Sequence, residues 1–192
     1  RLTEIFGILI SLSGIILLVS LLSYSPEDPN FIFPENTEIK NLLGLRGGYL
    51  SDFFFQSIGL ISYLFSITLV FTGVNMIISK DFFLIIENIF YSILYSIFGS
   101  LFFSYFYNST FALFINGNGG FIGNYLSDKL LGNLILLNET VAYYSLIIII
   151  LGLFLVSINF SLKKTFIFIK RINLFNKKNK NYTDKSEIID EY

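Results

Sequence analysis

The sequence predicts an all-α membrane protein with four transmembrane helices and with both chain ends on the same side of the membrane. Of its 192 residues, 54% are hydrophobic and only 14% are charged, whereas about a quarter of the residues of a typical soluble domain are charged. Four long stretches carry almost no charge, and each approaches the roughly 20 apolar residues that cross about 30 Å of hydrocarbon. Their polar residues are mainly Ser, Gly, Thr and Asn, so none has the charged face that a helix of a soluble protein turns to water.

The predicted transmembrane domain covers residues 1–162, with helices at about residues 5–24, 53–78, 82–107 and 141–162. The segment Leu130–Leu137 is apolar but too short to span, so we expect it to lie in the membrane interface. Residues 163–192 are first basic and then polar, which is typical of a tail that begins a linker. The chain begins with Arg1 and ends in this polar tail, and we therefore expect it to be part of a longer protein.

Lysine and arginine positions predict the orientation, because basic residues are enriched in cytoplasmic loops. Residues 25–52 carry five acids against Lys40 and Arg46, and residues 108–140 carry one base, Lys129. The tail is basic at Lys163, Lys164, Lys170, Arg171, Lys177, Lys178 and Lys180. We therefore place both termini in the cytoplasm and the two long loops outside. The start of the tail fits a plain positive-inside anchor and also a basic amphipathic extension on anionic lipid.

A short internal repeat lies on the predicted outer side. Residues 44–52 (GLRGGYLSD) match residues 120–128 (GFIGNYLSD) in two glycines, the Tyr-Leu-Ser and the aspartate. Both copies follow an outside loop and precede a spanning helix, which predicts two parallel helix-loop-helix halves, each with a Gly-rich turn. Two interpretations stay open: an element that faces a partner, and a repeated membrane-entry motif whose aspartate caps a helix start.

The residue types limit the chemistry available to the chain. It contains no His and no Cys, which excludes Ser-His and Cys-His catalysis and metal sites built on imidazole or thiolate. The glycine-rich residues 117–123 lack the Lys-Ser/Thr ending of a nucleotide P-loop. The net charge of −1 offers no nucleic-acid footprint. We predict no catalytic site, metal site or cofactor in this chain.

Three polar or small-residue features inside the helices have structural interpretations. Glu87 lies near a helix end, where it can extend to the interface, so we expect a structural role rather than an ion site. Asn75 is predicted to make an interhelical hydrogen bond. Small residues at Gly7, Ser11 and Gly14 form a stripe suited to close helix packing, either within the chain or between copies. No second acid or base accompanies Glu87, and the sequence predicts an apolar midplane.

Two motifs resemble a known family. The first helix ends in LSYSPEDP, at residues 22–29, and the second is entered through NLLGLRGGYLSD, at residues 41–52. These segments resemble the N-terminal four-helix membrane domain of the FtsK/SpoIIIE-type DNA translocases, which has Ser-Tyr-Ser-Pro-x-Asp-Pro and Asn-x-x-Gly-x-x-Gly-Ala-Tyr-x-Ala-Asp at these steps. The stretch GGFIGNYL is similar to the glycine-rich loop before the family's fourth helix. The resemblance covers roughly residues 5–160, with Gly48, Ser51 and Arg46 departing from the pattern.

The resemblance implies a membrane anchor and septal-targeting domain of a DNA translocase that acts in cell division and chromosome segregation. It implies the bacterial inner membrane, possible placement at the septum, other division proteins as partners, a homo-oligomer in the full-length protein, and no direct nucleic-acid binding here. The family's motor is absent from this chain, so we expect no enzyme activity. The family motif and candidate partner contacts are Tyr24, Ser25, Pro26, Asp28, Pro29, Gly44, Gly47, Tyr49, Asp52, Gly120, Gly123, Tyr125 and Asp128.

An alternative function is a small polytopic transporter or channel-like protein. Such a protein would need broken helices and polar groups at the midplane. A membrane-embedded enzyme, the third class, would need several His, Asp or Glu side chains around a cavity.

Overall fold

The computed structural model describes residues 1–29, 38–108 and 116–160, with only the backbone described for residues 130–134. All regular elements in these ranges are helical, which confirms the predicted all-α class. They are α1 (Leu2–Leu22), α2 (Gly44–Ile58), a 3₁₀ turn (Gly59–Ile61), α3 (Ser62–Ser79), α4 (Leu84–Phe106), α5 (Gly120–Leu126), a π turn (Ser127–Leu131), α6 (Gly132–Leu137) and α7 (Glu139–Ser157). The chain divides into two compact units, residues 1–159 and 160–192, and the predicted tail at 163–192 lies outside the described residues.

Four helical segments are long and apolar enough to cross a membrane: Leu2–Leu22, Gly44–Ser79, Leu84–Phe106 and Glu139–Ser157. Their positions agree with the four predicted stretches, although the ends differ. The last helix stops at Ser157 because Asn159, at φ 53°, has left the right-handed helical region, which asparagine tolerates better than most residues. Asn138 caps the start of this helix by accepting a hydrogen bond from the Val141 amide at 3.2 Å.

Helix α1 packs along α3 through the small-residue stripe. A Cβ atom added to Gly7 would lie 2.7 Å from the carbonyl oxygen of Gly73, and one added to Gly14 would lie 2.7 Å from the amide nitrogen of Val70. Helix α3 also has a glycine at this level: a Cβ on Gly73 would lie 2.5 Å from the amide nitrogen of Ser11. The predicted stripe is therefore used for packing within the chain, with backbone against backbone.

The second predicted helix, 53–78, is not one straight span. The carbonyl of Gly47, near the start of α2, accepts a 2.5 Å hydrogen bond from Ser20, and Phe55, near its end, packs on Leu17 and Leu21. Both ends of α2 thus lie against the last turns of α1, so α2 crosses the end of α1. The 3₁₀ turn, which begins at Gly59 with φ 68°, reverses the chain into α3, whose 18 residues extend about 27 Å at 1.5 Å per residue.

The second half of the chain repeats this plan. Helix α4 crosses the bundle, α5 begins at Gly120 and packs on the end of α4, and α7 returns along α4. Gly44 and Gly120 hold the same position at the start of α2 and α5 and have the same left-handed backbone, with φ 67° and 65°. The predicted Gly-rich turns are therefore helix starts, since helix continues from each of these glycines. Helix α6 has six residues, too few to span, as expected of the segment Leu130–Leu137.

The bundle has two hydrophobic clusters. Leu17, Leu21 and Phe55 form the centre of the first, and the second lies around Tyr95, Leu101 and Phe102 of α4 and includes Ile61 from the first half. Among the described helices, α1 packs mainly on α3 and α2, and α7 packs mainly on α4. The halves therefore meet chiefly along α3 and α4, and α1 and α7 lie at opposite ends of the row.

Polar side chains join the halves along that meeting line, which we call the seam. Thr68 Oγ1 lies 2.8 Å from the Tyr95 hydroxyl and 3.1 Å from Ser157 Oγ. Asn88, nearer the start of α4 than Tyr95, donates to Thr72 Oγ1 at 3.0 Å and to Asn159 Oδ1 at 2.9 Å. The interior of the bundle therefore contains paired polar side chains, which face each other between the halves.

Candidate functional site

The candidate site is the end of the bundle where α2 and α5 lie, which contains most of the motif residues. We call it the outer junction, after the side on which the sequence places it. It is built from two similar arrangements, one in each half, and a chain of polar side chains that connects them.

Asp28 organises the first arrangement. Its two carboxylate oxygens accept hydrogen bonds from the backbone amides of Lys40 at 2.7 Å and Asn41 at 2.9 Å, and the side chain is only 4% exposed. The preceding turn is closed by the Ser25 carbonyl, which accepts from the Asp28 amide at 3.1 Å. Pro29 is buried directly after it. The Ser-Pro-x-Asp-Pro step is thus a carboxylate cap that ties residues 40–41 to the end of α1.

Asn41 then connects α1 to α2. Its side-chain amide donates to the Ser20 carbonyl at 2.9 Å, and its side-chain oxygen accepts from the Leu43 amide at 3.0 Å. In the second half, the Asn118 side chain donates in the same way to the carbonyl of Tyr107, the residue that follows α4. In both halves, an asparagine amide satisfies a carbonyl that the end of a spanning helix leaves free.

Asp52 and Tyr24 meet within the outer junction. The Tyr24 hydroxyl donates to Asp52 Oδ1 at 3.2 Å, and Gln56, one turn along α2, donates to the same oxygen at 3.4 Å. Burial and the neighbouring Asp52 carboxylate raise the pKa of the Tyr24 phenol above its ordinary value, so the phenol remains a donor at physiological pH. In one of the two open interpretations the aspartate caps or charge-anchors a helix start; Asp52 lies within α2 and accepts from Tyr24, just beyond the end of α1.

Gln56 carries the network from one half to the other. Its side-chain oxygen accepts from the Asn116 amide at 3.3 Å, and its carbonyl accepts from the Asn116 side chain at 3.3 Å. Asn124 donates to the Asn116 carbonyl at 2.8 Å and accepts from Ser104 of α4 at 2.6 Å. The result is a continuous path from Tyr24 to Ser104 that passes through both copies of the repeat.

The structure separates the predicted site residues into two groups. Asp28, Gly47 and Asp52 are buried in the junction, and the half-buried Tyr24 and Ser25 make hydrogen bonds within it. Gly120 and Gly123 pack at the start of α5, where a Cβ on Gly120 would lie 2.6 Å from the Gly59 amide.

The other predicted residues lie towards the surface. Tyr125 and Asp128 are exposed, and Tyr125 stacks on Phe121 with ring centroids 6.4 Å apart. Pro26 and Tyr49 are half-buried. The two aspartates of the repeat therefore differ, because Asp52 is buried and paired whereas Asp128 faces outward.

Sequence reasoning missed the residues that complete the network: Asn41 as a side-chain donor, Gln56, Asn116, Asn118 and Asn124. Asn41 and Asn124 carried a signal, because Asn41 opens the second motif and Asn124 lies in the second copy of the repeat. Asn75 makes the predicted interhelical bond, donating to the Ile158 carbonyl at 2.9 Å. Glu87 is exposed in the first turn of α4, where a structural role was expected. Among the described residues, no group of three or more His, Cys, Asp or Glu could hold a metal ion.

These features define a class of protein: a polytopic α-helical membrane domain built from two parallel halves. Residues 1–170 match the family model of the 4TM region of DNA translocase FtsK/SpoIIIE. The chain belongs to this family, which confirms the resemblance that its motifs suggest. The matched region is a membrane domain and not the catalytic motor.

Curated relatives agree with this assignment. The chain is 31% identical over 72 residues to the DNA translocase FtsK of Rickettsia prowazekii (strain Madrid E), covering 38% of this chain and 10% of the relative. It is 32% identical over 83 residues to the DNA translocase FtsK of Azospirillum brasilense, covering 42% and 13%. For Rickettsia typhi (strain ATCC VR-144 / Wilmington) the identity is 34% over 62 residues, covering 32% and 8%. These matches span about a tenth of each relative. No solved structure matches the chain.

Proposed function

We propose that this chain is the membrane anchor of a DNA translocase that acts in cell division and chromosome segregation. The observation that carries the proposal is the family match over residues 1–170. The matched relatives are named DNA translocases, and the chain aligns with about a tenth of their length. In this proposal the pump itself is a separate part of the full-length protein, and the four helices hold it at the membrane.

The same proposal gives the domain an orientation. The Lys80 ammonium lies 3.6 Å from the Glu4 carboxylate, so the start of α1 and the connection from α3 to α4 share one end of the bundle. The bond from Asn75 to the Ile158 carbonyl brings the end of α7 to this same end. The basic residues that begin the tail follow directly, so we assign this end to the cytoplasm of the bacterial inner membrane and α2 and α5 to the outside.

Cysteine labelling tests the orientation without background, because the natural chain contains no cysteine. Single variants Asp128→Cys, at the outer junction, and Lys170→Cys, in the tail, are treated with a membrane-impermeant maleimide. We expect Asp128→Cys to react in intact cells and Lys170→Cys only after permeabilisation. The reverse pattern, or equal labelling of both in intact cells, would contradict the proposed topology.

Septal targeting is proposed to depend on the exposed part of the outer junction. Phe121, Tyr125 and Asp128 lie on or next to α5 and are exposed, so they can contact another division protein. A fluorescent fusion of this chain should concentrate at mid-cell, and the double variant Tyr125→Ala/Asp128→Ala should spread around the membrane. Ile148→Ala, on the exposed face of α7, is the control and should stay at mid-cell. A uniform membrane distribution of the unchanged chain would refute the targeting role.

Self-association of the anchor belongs to the same proposal. Its support is the apolar surface that α1 leaves uncovered in one chain, such as Leu9 at 56% exposed. Mass photometry of the chain in nanodiscs should show oligomers. A strictly monomeric distribution at all concentrations would limit oligomerisation to the other parts of the full-length protein.

A transporter or channel is the second candidate, because the 3₁₀ break after α2 and the polar seam are features of such proteins. However, the hydroxyls of Thr68, Tyr95 and Ser157 bond to each other, and such paired groups stabilise packing. Vesicles containing the purified chain should therefore show the same ion leak as empty vesicles. A leak that depends on the protein, and that Thr68→Val changes, would favour the second candidate.

A further inference from the structure

Three asparagine side chains hold the point where the chain leaves α7. Helix α7 ends at Ser157, and two residues later Asn159 has a left-handed backbone at φ 53°. The Asn159 side-chain oxygen accepts a hydrogen bond from Asn88 of α4 at 2.9 Å and one from Asn75 of α3 at 3.2 Å. Asn75 also donates to the Ile158 carbonyl at 2.9 Å. We call Asn75, Asn88 and Asn159 the clasp, because together they tie the end of α7 to both neighbouring helices.

Helix α7 is otherwise weakly held. Three of its residues are buried, against nine in α4, so most of its surface faces lipid. In the described part of the chain, its side-chain hydrogen bonds to other helices lie near its two ends. Tyr105 and Tyr107 bond to Glu139 and Tyr143 near the start, and Thr68 bonds to Ser157 at the end, beside the clasp. The clasp is therefore a large part of what fixes the end of α7.

The rest of the bundle supports the clasp. Asn88 is fully buried, and its second N–H donates to Thr72 Oγ1 at 3.0 Å, so this one side chain connects α4, α3 and the end of α7. The residue after Thr72 is Gly73, where α3 packs backbone to backbone on α1. A displacement of Asn159 is thus resisted by α3 and α4 directly and by α1 through α3.

A pull on the tail acts first on this end of α7, because residues 160–192 follow it directly. The last carbonyls of a helix have no partner within the helix, and helix ends open at a lower free energy than helix centres. A helix pulled from its end therefore unwinds from that end. The clasp opposes this step, since Asn75 occupies the Ile158 carbonyl and the Asn159 oxygen is shared by donors on two helices.

We propose that the clasp transmits a pull on the tail to α3 and α4, so that the bundle resists the force together and α7 is not drawn out alone. The inference rests on the proposed anchor function, because a motor that pulls DNA receives an equal and opposite pull, which reaches the membrane domain through the tail. The proposal is directional: the clasp resists a force applied from the tail and contributes little against a force applied at the start of α1.

Atomic-force microscopy tests the direction by extracting the complete chain from a supported bilayer through a tag at either terminus. Asn159→Gly removes the accepting oxygen and keeps a residue that adopts φ 53° without strain. Pulled from the C-terminus, this variant should pass the first opening step roughly five- to tenfold faster at a given force, which is the effect of losing two interhelical hydrogen bonds. Pulled from the N-terminus, its first step should keep the rate of the natural chain.

Two further variants separate the clasp from general stability. Tyr107→Phe removes the 2.8 Å bond to Tyr143, which joins the end of α4 to α7 near the opposite end of α7, and should leave the first step from the C-terminus unchanged. Asn159→Asp should keep the natural rate, because a carboxylate accepts both hydrogen bonds.

Three results would overturn the proposal: an unchanged rate in Asn159→Gly, equal acceleration of that variant from both termini, and equal acceleration by Tyr107→Phe from the C-terminus. The extraction is measured on this chain without a motor or a septum. Its outcome is therefore distinct from that of the labelling and localisation experiments that test the anchor function.

Discussion

At the scale of single residues, the outer junction shows how side chains of a membrane protein provide hydrogen bonds for backbone groups at and near its helix ends. Asn41 and Asn118 each bond to a carbonyl at the end of a spanning helix, and Asp28 accepts from two amides of the loop before α2. An unsatisfied buried group costs more where water is scarce. Asp28 is the strongest of these, because one carboxylate accepts two amides. This motif residue therefore has a structural role in fixing the loop that enters α2.

We predict that Asp28→Asn lowers the free energy of unfolding by about 2 kcal/mol, since the amide can accept only one of the two bonds and turns a donor towards the other amide. The thermal unfolding midpoint in detergent measures the change. Asp128→Asn is the matched control, because Asp128 occupies the second repeat and is exposed, and it should unfold like the natural chain. Equal effects of the two substitutions would show that the Asp28 cap contributes nothing.

At the scale of elements, close backbone packing holds α1 to α3. Interhelical hydrogen bonds in membrane proteins average only about 0.6 kcal/mol, whereas overpacking a tight contact costs typically 1–3 kcal/mol. The stripe at Gly7, Ser11 and Gly14 should therefore matter more for this pair than any single polar contact. Packing of this kind is possible because each of the two helices has small residues where the other approaches.

The variants Gly14→Leu and Gly152→Leu test whether the small-residue stripe holds α1 to α3. A Cβ at Gly14 would meet the α3 backbone at 2.7 Å, whereas one at Gly152 would meet nothing within 4 Å. We expect Gly14→Leu to lower the free energy of unfolding by at least about 2 kcal/mol and Gly152→Leu to leave it unchanged or slightly higher, because leucine is the better helix former. Unfolding in mixed micelles with increasing SDS measures both. Similar midpoints would refute the assigned packing.

At the scale of the whole molecule, the two halves are joined by polar groups, by Ile61, which packs in the hydrophobic cluster of the second half, and by a tight backbone contact. The Leu60 amide donates to the Asn118 carbonyl at 2.9 Å, beside Gly59. A Cβ on Gly59 would lie 2.8 Å from the carbonyl carbon of Gly119. The turn between α2 and α3 is therefore also the place where the halves touch most closely.

Substitution of two glycines that share one backbone conformation can separate the cost of backbone strain from the cost of a steric contact. Gly44 and Gly59 have φ of 67° and 68°, but a Cβ on Gly44 would meet nothing within 4 Å. Gly44→Ala should thus cost only the left-handed backbone strain, about 1–2 kcal/mol. Gly59→Ala should cost clearly more and should raise hydrogen exchange in both α2 and α5. If the two variants lose equal stability, the contact at Gly59 does not hold the halves together.

The sequence by itself determined that the chain is embedded in a membrane, where its four spans lie, and that its motifs are those of the FtsK/SpoIIIE membrane domain. These properties follow from the local content of apolar residues, which sums over a window of about 20 residues, and from short contiguous motifs. The outer junction could be predicted only as a list of residues such as Tyr24 and Asp52, because their pairing depends on how α2 crosses α1.

Only the tertiary structure decided that the Gly-rich repeats are helix starts and that a polar seam joins the halves. Asn88 and Asn159 are 71 residues apart, and Thr68 and Ser157 are 89 apart. Which side chains meet over such separations depends on the rotation and depth of each helix. Hydropathy carries no information about either, since hydrocarbon favours every apolar face equally and leaves side-chain packing to choose among them.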